Sequence, residues 1–184
     1  MSTPEPEYVF PPLTETDLPL VRRWLLEPHV SRWWADPPRD TYPDDELEKY
    51  RSRIRGDSDP TLLFLIHHRM RPIGFIQCYR IDDDPDYATA LGLDAPAAGI
   101  DLFIGEPDDV GKGHGPTLIR AYLRAVVFPT YDVEECVIGP SVNNASAIRA
   151  YEKAGFVWFK DARVPDEPDP EHLMRIRRAD LERH

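Results

Sequence analysis

The chain has 184 residues, 41% hydrophobic and 30% charged, which fits one globular domain over 1–184 with a sizeable core. Its formal charge of −11 argues against a general nucleic-acid or anionic-membrane surface; it favours a cationic partner, or reflects only solubility or a salty habitat. Met1-Ser2-Thr3-Pro4-Glu5 has neither the basic start nor the apolar run of a signal peptide, and no apolar stretch approaches the ~18 residues that span a bilayer, so a cytoplasmic protein is expected.

In chain order, residues 8–13 read as a first strand. Thr14-Glu15-Thr16-Asp17 is a helix-start signal with Asp17 as N-cap. Leu18, Val21, Trp24 and Leu25 then form one apolar helical face, which Pro28 ends, and Val30 to Trp34 is a short connector. Pro43-Asp44-Asp45 opens a second helix carrying Leu47, Tyr50 and Ile54. Residues 62–66 are a buried strand, 67–71 a turn and 72–79 its hairpin partner. An acidic, irregular segment follows from Asp82 to Ala98. Next come a strand at 99–104, a glycine loop, a helix with Leu118, Ile119, Tyr122 and Val126, a strand at 133–138, and a helix from Asn144 to Ala154 stopped by Gly155. Residues 156–159 and 173–176 close the chain as strands. Interleaved helices and hairpins predict a mixed α/β or α+β sheet. Cys78 and Cys136 read as reduced core thiols. Neither has metal-ligand spacing with the histidines, so no metal site is expected. His67 and His68 read as turn residues.

The glycine loop, Gly111-Lys112-Gly113-His114-Gly115, sits between a strand and a helix. Glycines let the backbone approach a phosphate, and the free N–H groups and dipole at the helix start attract it. A triphosphate P-loop fails here, because Lys112 is followed by Gly113 and the earlier glycine is absent. A dinucleotide fingerprint is weakened by Pro116 where its third glycine or alanine belongs.

A second motif supplies another reading. Asn144-Ala145-Ser146-Ala147-Ile148-Arg149-Ala150-Tyr151-Glu152-Lys153-Ala154-Gly155-Phe156 resembles the closing signature of the GNAT N-acetyltransferase superfamily, and 110–115 resembles its acetyl-CoA motif. Residues 72–79 and 99–107, with Trp24-Leu25 and Trp33-Trp34, are similar to the aminoglycoside 6′-N-acetyltransferases. The resemblance implies a GNAT fold: a central, mostly antiparallel mixed sheet flanked by helices, with acetyl-CoA in a cleft between splayed strands. It implies acetyl-CoA as co-substrate without a metal, and direct transfer of acetyl to a primary amine in a ternary complex. The partner is then a small cationic amine, an aminoglycoside first, with antibiotic resistance as its outcome. The protein itself is expected as a monomer or homodimer.

The same resemblance implies the site. Leu102, Phe103 and Ile104 would run beside the pantetheine arm. Val110, Gly111, Lys112, Gly113, His114, Gly115 and Thr117 would surround the pyrophosphate, His114 mainly through its backbone. Asn144 would be a CoA contact or a helix cap. Tyr151 would serve the donor and act on the leaving sulfur, by a hydrogen bond or a proton. The resemblance puts Asp101 beside the reacting amine. The residues themselves add Trp34, which walls the substrate cleft or packs under it, Gln77 and Tyr79, which strand alternation puts on one face toward the substrate, and Asp83, whose acidic segment attracts a polycation or is only a solvated loop. The chain departs from the resembling enzymes at Val110, Leu102, Pro116 and above all Gly139, which stands where an aspartate helps hold the aminoglycoside. That loss keeps other acceptors open: a siderophore-type hydroxylamine, a polyamine, a protein amine, or no acceptor at all in an idle acyl-CoA-binding module.

Reference pKa values limit what Asp101 can do. An ammonium near 10.4 and an aspartate near 3.9 are separated by a gap that costs on the order of 9 kcal/mol for direct proton removal. Asp101 is therefore expected to orient the ammonium. Once the neutral amine attacks, its nitrogen becomes acidic, and a carboxylate or bound water then accepts the proton.

Overall fold

The apolar run at 71–80 forms the strand around which the protein is built. The structure, a computed structural model, describes residues 6–35, 38–57, 59–165 and 167–182. Strand β3 (Arg71–Arg80) is buried throughout residues 73–78, because it sends apolar side chains to both faces of a sheet covered on both sides. It pairs antiparallel with β2 (Leu62–His68) and β4 (Ala98–Ile104). With β1 (Tyr8–Val9), β5 (Glu135–Ile138), β6 (Val157–Ala162) and β7 (Glu171–Arg177) these make a seven-stranded sheet in the order β1-β2-β3-β4-β5-β7-β6. Only the β4–β5 pair is parallel. This is the mixed, mostly antiparallel α+β architecture expected.

Strand alternation divides the core. Phe75 points toward α1 (Leu18–Leu25), α2 (Pro28–Trp34) and α3 (Asp44–Arg55), packing with Leu18, Val21, Trp24, Leu25 and Tyr50. Ile76 and Cys78 pack on the other side with Leu118, Ile119 and Tyr122 of α5 (His114–Tyr122) and Tyr151 and Ala154 of α7 (Ala145–Ala154). Both cysteines are buried free thiols.

Several local expectations change. Pro28 does not end a helix; it opens α2, whose first turn has no use for the missing N–H, and Val30–Trp34 is helical. Asp17 stands at the start of α1, but its carboxylate turns back to accept from the Thr14 N–H at 2.9 Å and hydroxyl at 2.6 Å. The first strand shrinks to two residues and an isolated bridge at Pro12, since Pro11 and Pro12 offer no N–H to a ladder. His67 and His68 belong to β2, and the reversal is Arg69-Met70, both at positive φ. The acidic segment is ordered: a 3-10 turn at Ile81–Asp83 leads into α4 (Pro85–Leu91). The Asp84 carboxylate accepts from the Tyr87 N–H at 3.0 Å, and proline follows at the first helical position, a standard helix entry that the run of acids conceals. After Tyr122 the α5 helix widens into a π-turn at Leu123–Val127 before a short α6 (Phe128–Thr130), and α8 (Arg178–Glu182) follows β7.

The feature that positions the site is the brevity of the parallel pair. β4 and β5 are in register only at Ala98–Cys136 and Gly99–Val137. Past Gly99 the strands part, and β4 continues to Ile104 paired with β3 alone. Its other edge there has no strand neighbour among the described residues.

Candidate active site

The parted strands form one wall of a cleft of about 1350 Å³. Asp101, Leu102, Phe103 and Ile104 of β4 line it, as do Gln77 and Tyr79 of β3, Trp34 of α2 and Tyr151 of α7. The glycine loop closes one end, and Asp83 stands exposed on the rim near α4.

Asp101 lies at the centre of a chain of polar groups. Its register partner is Gln77, so both side chains emerge on one face. The Gln77 amide donates to Asp101 Oδ2 at 2.8 Å and accepts from Arg53 Nη1 at 3.2 Å, while Arg53 pairs with Asp59 at 2.8 Å. Asp101 keeps part of its surface open to the cleft, yet protein surrounds it closely. Burial pushes its carboxyl up, and Gln77, Arg53 and Tyr79 pull the other way. Gln77 thus holds Asp101 in place, a role the sequence expectation of a substrate contact did not include. Tyr79 lies across β4 at Gly99, where an added Cβ would come within 2.4 Å of its ring.

Another carboxyl, absent from the sequence expectations, shares this wall. Glu171 begins β7 and accepts a hydrogen bond from the Tyr87 hydroxyl at 3.2 Å. Burial first, and then the negative charges of Asp101 and Glu167, push its carboxyl up to about 8. Asp83, by contrast, is exposed. Its neighbours Asp82 and Asp84 are engaged by Arg80 and by the start of α4.

Trp34 donates its indole N–H to the Tyr50 hydroxyl at 2.8 Å and packs edge-on against Phe103 at 4.9 Å. It lines the cleft and packs against the core behind it.

At the loop, Gly111 and Gly113 have φ of 75° and 82°, the left-handed region that glycine enters at least cost. Gly113 is the N-cap of α5, so the loop directs that helix's first N–H groups at the cleft end. Pro116 removes one of them. Val110 is 46% exposed at the cleft. Gly115 answers to packing as well: a Cβ there would stand 3.3 Å from Cβ of Ala150, where α5 crosses α7. Lys112 and Thr117 are exposed and outside the cleft wall. The side chain of His114 is more than a spectator. Its Nδ1 meets the Tyr8 hydroxyl at 2.8 Å and its Nε2 meets Asp109 at 3.2 Å, and Asp109 also holds Arg71 at 2.7 Å. This network ties the loop to β1 and β3.

Asn144 caps α7, its Oδ1 accepting from the Ala147 N–H at 3.1 Å. Tyr151 is 8% exposed, and its hydroxyl has no hydrogen-bond partner among the described residues. Burial and the charge of Asp101 push its phenol well up. It can donate a hydrogen bond, but it gives up its proton reluctantly. The pantetheine expectation meets one constraint: the Ile104 carbonyl already accepts from His29 Nε2 at 2.9 Å.

Comparison with known proteins agrees with this geometry. Residues 14–164 match the acetyltransferase (GNAT) domain family. An aminoglycoside N(6′)-acetyltransferase type 1 from Klebsiella pneumoniae is 31% identical over 168 residues, spanning 91% of this chain and 82% of that protein. A kanamycin resistance protein from Rhizobium radiobacter is 37% identical over 86 residues, 47% of this chain and 78% of that one. Among solved structures, the aminoglycoside acetyltransferase AAC(6′)-Ib with coenzyme A and kanamycin superposes with a TM-score of 0.78 at 28% identity, covering 96% of this chain and 98% of that one. A spermidine N-acetyltransferase from Vibrio cholerae shares the fold at a TM-score of 0.71 and 19% identity, covering 96% and 98% of the two chains.

Proposed function

The chain belongs to the GNAT acetyltransferase family, and from that premise we propose that it transfers acetyl from acetyl-CoA directly to a primary amine of an aminoglycoside, at the 6′ position. The observation that carries this reading is the placement of Asp101. It sits at the first turn-away of β4 from β5, inside the cleft, with the glycine loop at the far end of the same strand edge. An acyl donor whose pyrophosphate rests on the loop and whose arm follows Leu102–Ile104 brings its thioester toward Asp101. An ammonium held by Asp101 then faces the carbonyl carbon. Proximity of this kind converts an encounter of two molecules into a step within one complex.

The residues divide the work accordingly. Asp101, fixed by Gln77 and Arg53, orients the amine and favours its charge. The ammonium first gives one proton to water, which frees the nitrogen lone pair; as that nitrogen bonds to carbon, a remaining N–H becomes acidic and passes its proton to a carboxylate or water, and the C–S bond breaks to release CoA thiolate. A thiolate near pKa 8.5 leaves without full protonation, so a hydrogen bond from Tyr151 suffices. Tyr151→Phe is expected to reduce kcat about tenfold, the value of one hydrogen bond of about 1.4 kcal/mol. Steady-state thiol release measures it. Loss of all turnover in that variant would instead make Tyr151 an obligatory acid.

The test of the whole reading is turnover on a panel of amines with acetyl-CoA. Kanamycin is expected to release CoA, and an analogue with hydroxyl in place of the 6′-amine is expected not to. Turnover confined to a polyamine or a protein amine would overturn the aminoglycoside assignment. CoA binding without turnover on any amine would favour an idle acyl-CoA-binding module.

A further inference from the structure

Gly139 and Glu171 occupy one volume between them. Gly139 follows β5 on the cleft wall, and a Cβ added to it would stand 2.1 Å from Oε2 of Glu171 and 2.7 Å from its carboxyl carbon. The backbone fixes this closeness: Ser141 forms an isolated bridge with Glu171, and the His172 N–H donates to the Pro140 carbonyl at 2.7 Å. The Glu171 carboxyl is therefore wedged against bare backbone on the cleft surface.

No lysine, arginine or histidine forms an ion pair with Glu171 among the described residues. Its polar partner is the Tyr87 hydroxyl, and its charged neighbours Asp101 and Glu167 are both acidic. A largely buried carboxyl without a cation is costly to keep. Tyr151, more than nine-tenths buried, presents to the same cleft a hydroxyl without a hydrogen-bond partner among the described residues. Among the described residues, then, Glu171 lacks a paired cation and Tyr151 lacks a hydrogen-bond acceptor. An amine acceptor brings the charge, and a thioester sulfur is the acceptor.

Asp101 accounts for one ammonium, the one that reacts. We propose that Glu171 holds a second ammonium of the acceptor, and that Gly139 is glycine because this carboxyl fills the space a side chain there would need. The inference rests on the amine-transfer reading of the cleft and narrows it to acceptors with at least two amines. Glu171 is a specificity-determining residue that binds the part of the acceptor away from the chemistry.

The experiment compares kanamycin with 6-amino-6-deoxyglucose, a sugar bearing a single amine, in wild type and three variants. In Glu171→Gln, the preference for kanamycin, read as the ratio of the two kcat/KM values, is expected to fall at least tenfold, mainly through a higher KM for kanamycin. Gly139→Asp alone is expected to lower activity on both sugars, because its side chain collides with Glu171. Gly139→Asp combined with Glu171→Ala moves a carboxyl to the other side of the same space and is expected to recover most of the lost preference. An unchanged ratio in Glu171→Gln, with wild type active on kanamycin, overturns this inference and leaves the amine-transfer reading intact. Failure of wild type on both sugars overturns that reading and this inference with it. CoA affinity and the melting temperature of each variant separate a folding defect from a binding one. If Glu171→Gln is unfolded, Glu171→Asp decides: a shortened carboxyl that still selects kanamycin supports the assignment, and one that does not select overturns it.

Discussion

Replacing Asp101 by asparagine is expected to lower kcat/KM for the amine by about 10²- to 10³-fold, within the usual range for a group that handles a proton and a charge together. The substitution keeps the shape of the side chain and its ability to accept from the Gln77 amide, so the loss reports charge. A neutral amide neither holds an ammonium nor favours the positive charge that develops on nitrogen during attack. KM for acetyl-CoA is expected to change little, because the loop at 111–113 lies at the other end of the strand edge. Steady-state kinetics with the donor and acceptor varied in turn checks both statements. Full activity in Asp101→Asn would overturn the role assigned to the residue.

The same variant should alter the pH dependence. Glu171 is pushed up to about 8, first by burial and then by the charge of Asp101. It faces Asp101 from β4, Tyr87 from α4, Tyr79 from β3 and Glu167 from its own approach loop. An ammonium binds the ionised carboxyl, so below about 8 acceptor binding must first expel a proton. Acceptor affinity therefore rises with pH toward about 8 and then levels, and binding at neutral pH releases protons that calorimetry in buffers of different ionisation enthalpy detects. Two interacting carboxyls titrate as a pair. Removing the Asp101 charge lowers the pH at which the Glu171 limb appears.

How much of this was legible in the sequence depended on whether the signal was local. The glycine loop and the helix at 144–155 announced themselves because positive φ, a helix start and a glycine stop leave marks within a few residues. Asp101 was found through its motif. Alternation placed Gln77 and Tyr79 on one face, and the structure has both side chains around Asp101. Helix α4 was missed because Asp84-Pro85 lay inside a run of acids that also reads as solvated loop. Arg53 and Glu171 had no local mark. Each reaches the cleft through tertiary packing, from the last turn of α3 and the first residue of β7. The absence of a side chain at 139 was visible, but the carboxyl that fills its place comes from thirty-two positions further along the chain. The side-chain network of His114 was hidden for the same reason, since its partner Tyr8 lies 106 residues away.

Trp24→Ala should be the most damaging single change outside the cleft, at about 3–5 kcal/mol of stability. Trp24 is fully buried in α1. Its indole lies flat on the backbone just past β4, where a Cβ on Gly105 would come within 2.2 Å of Cγ. Its N–H donates to Glu106 at 2.9 Å, and Arg23 grips the same carboxylate. Truncation leaves a cavity beside Phe103 and takes from Glu106 a donor that helps hold it. At roughly 2–4 °C per kcal/mol for a chain of this size, the melting temperature should fall by roughly 10 °C. The damage has a direction. Gly105 and Glu106 join the end of β4 to the turn that carries the glycine loop, so loosening them should raise KM for acetyl-CoA before the protein melts. Gly105→Ala attacks the same contact from the other side and should reproduce that pattern. Thermal melts and donor titrations of the two variants test it, and a Trp24→Ala protein that melts like wild type would show that the ring's place is readily refilled.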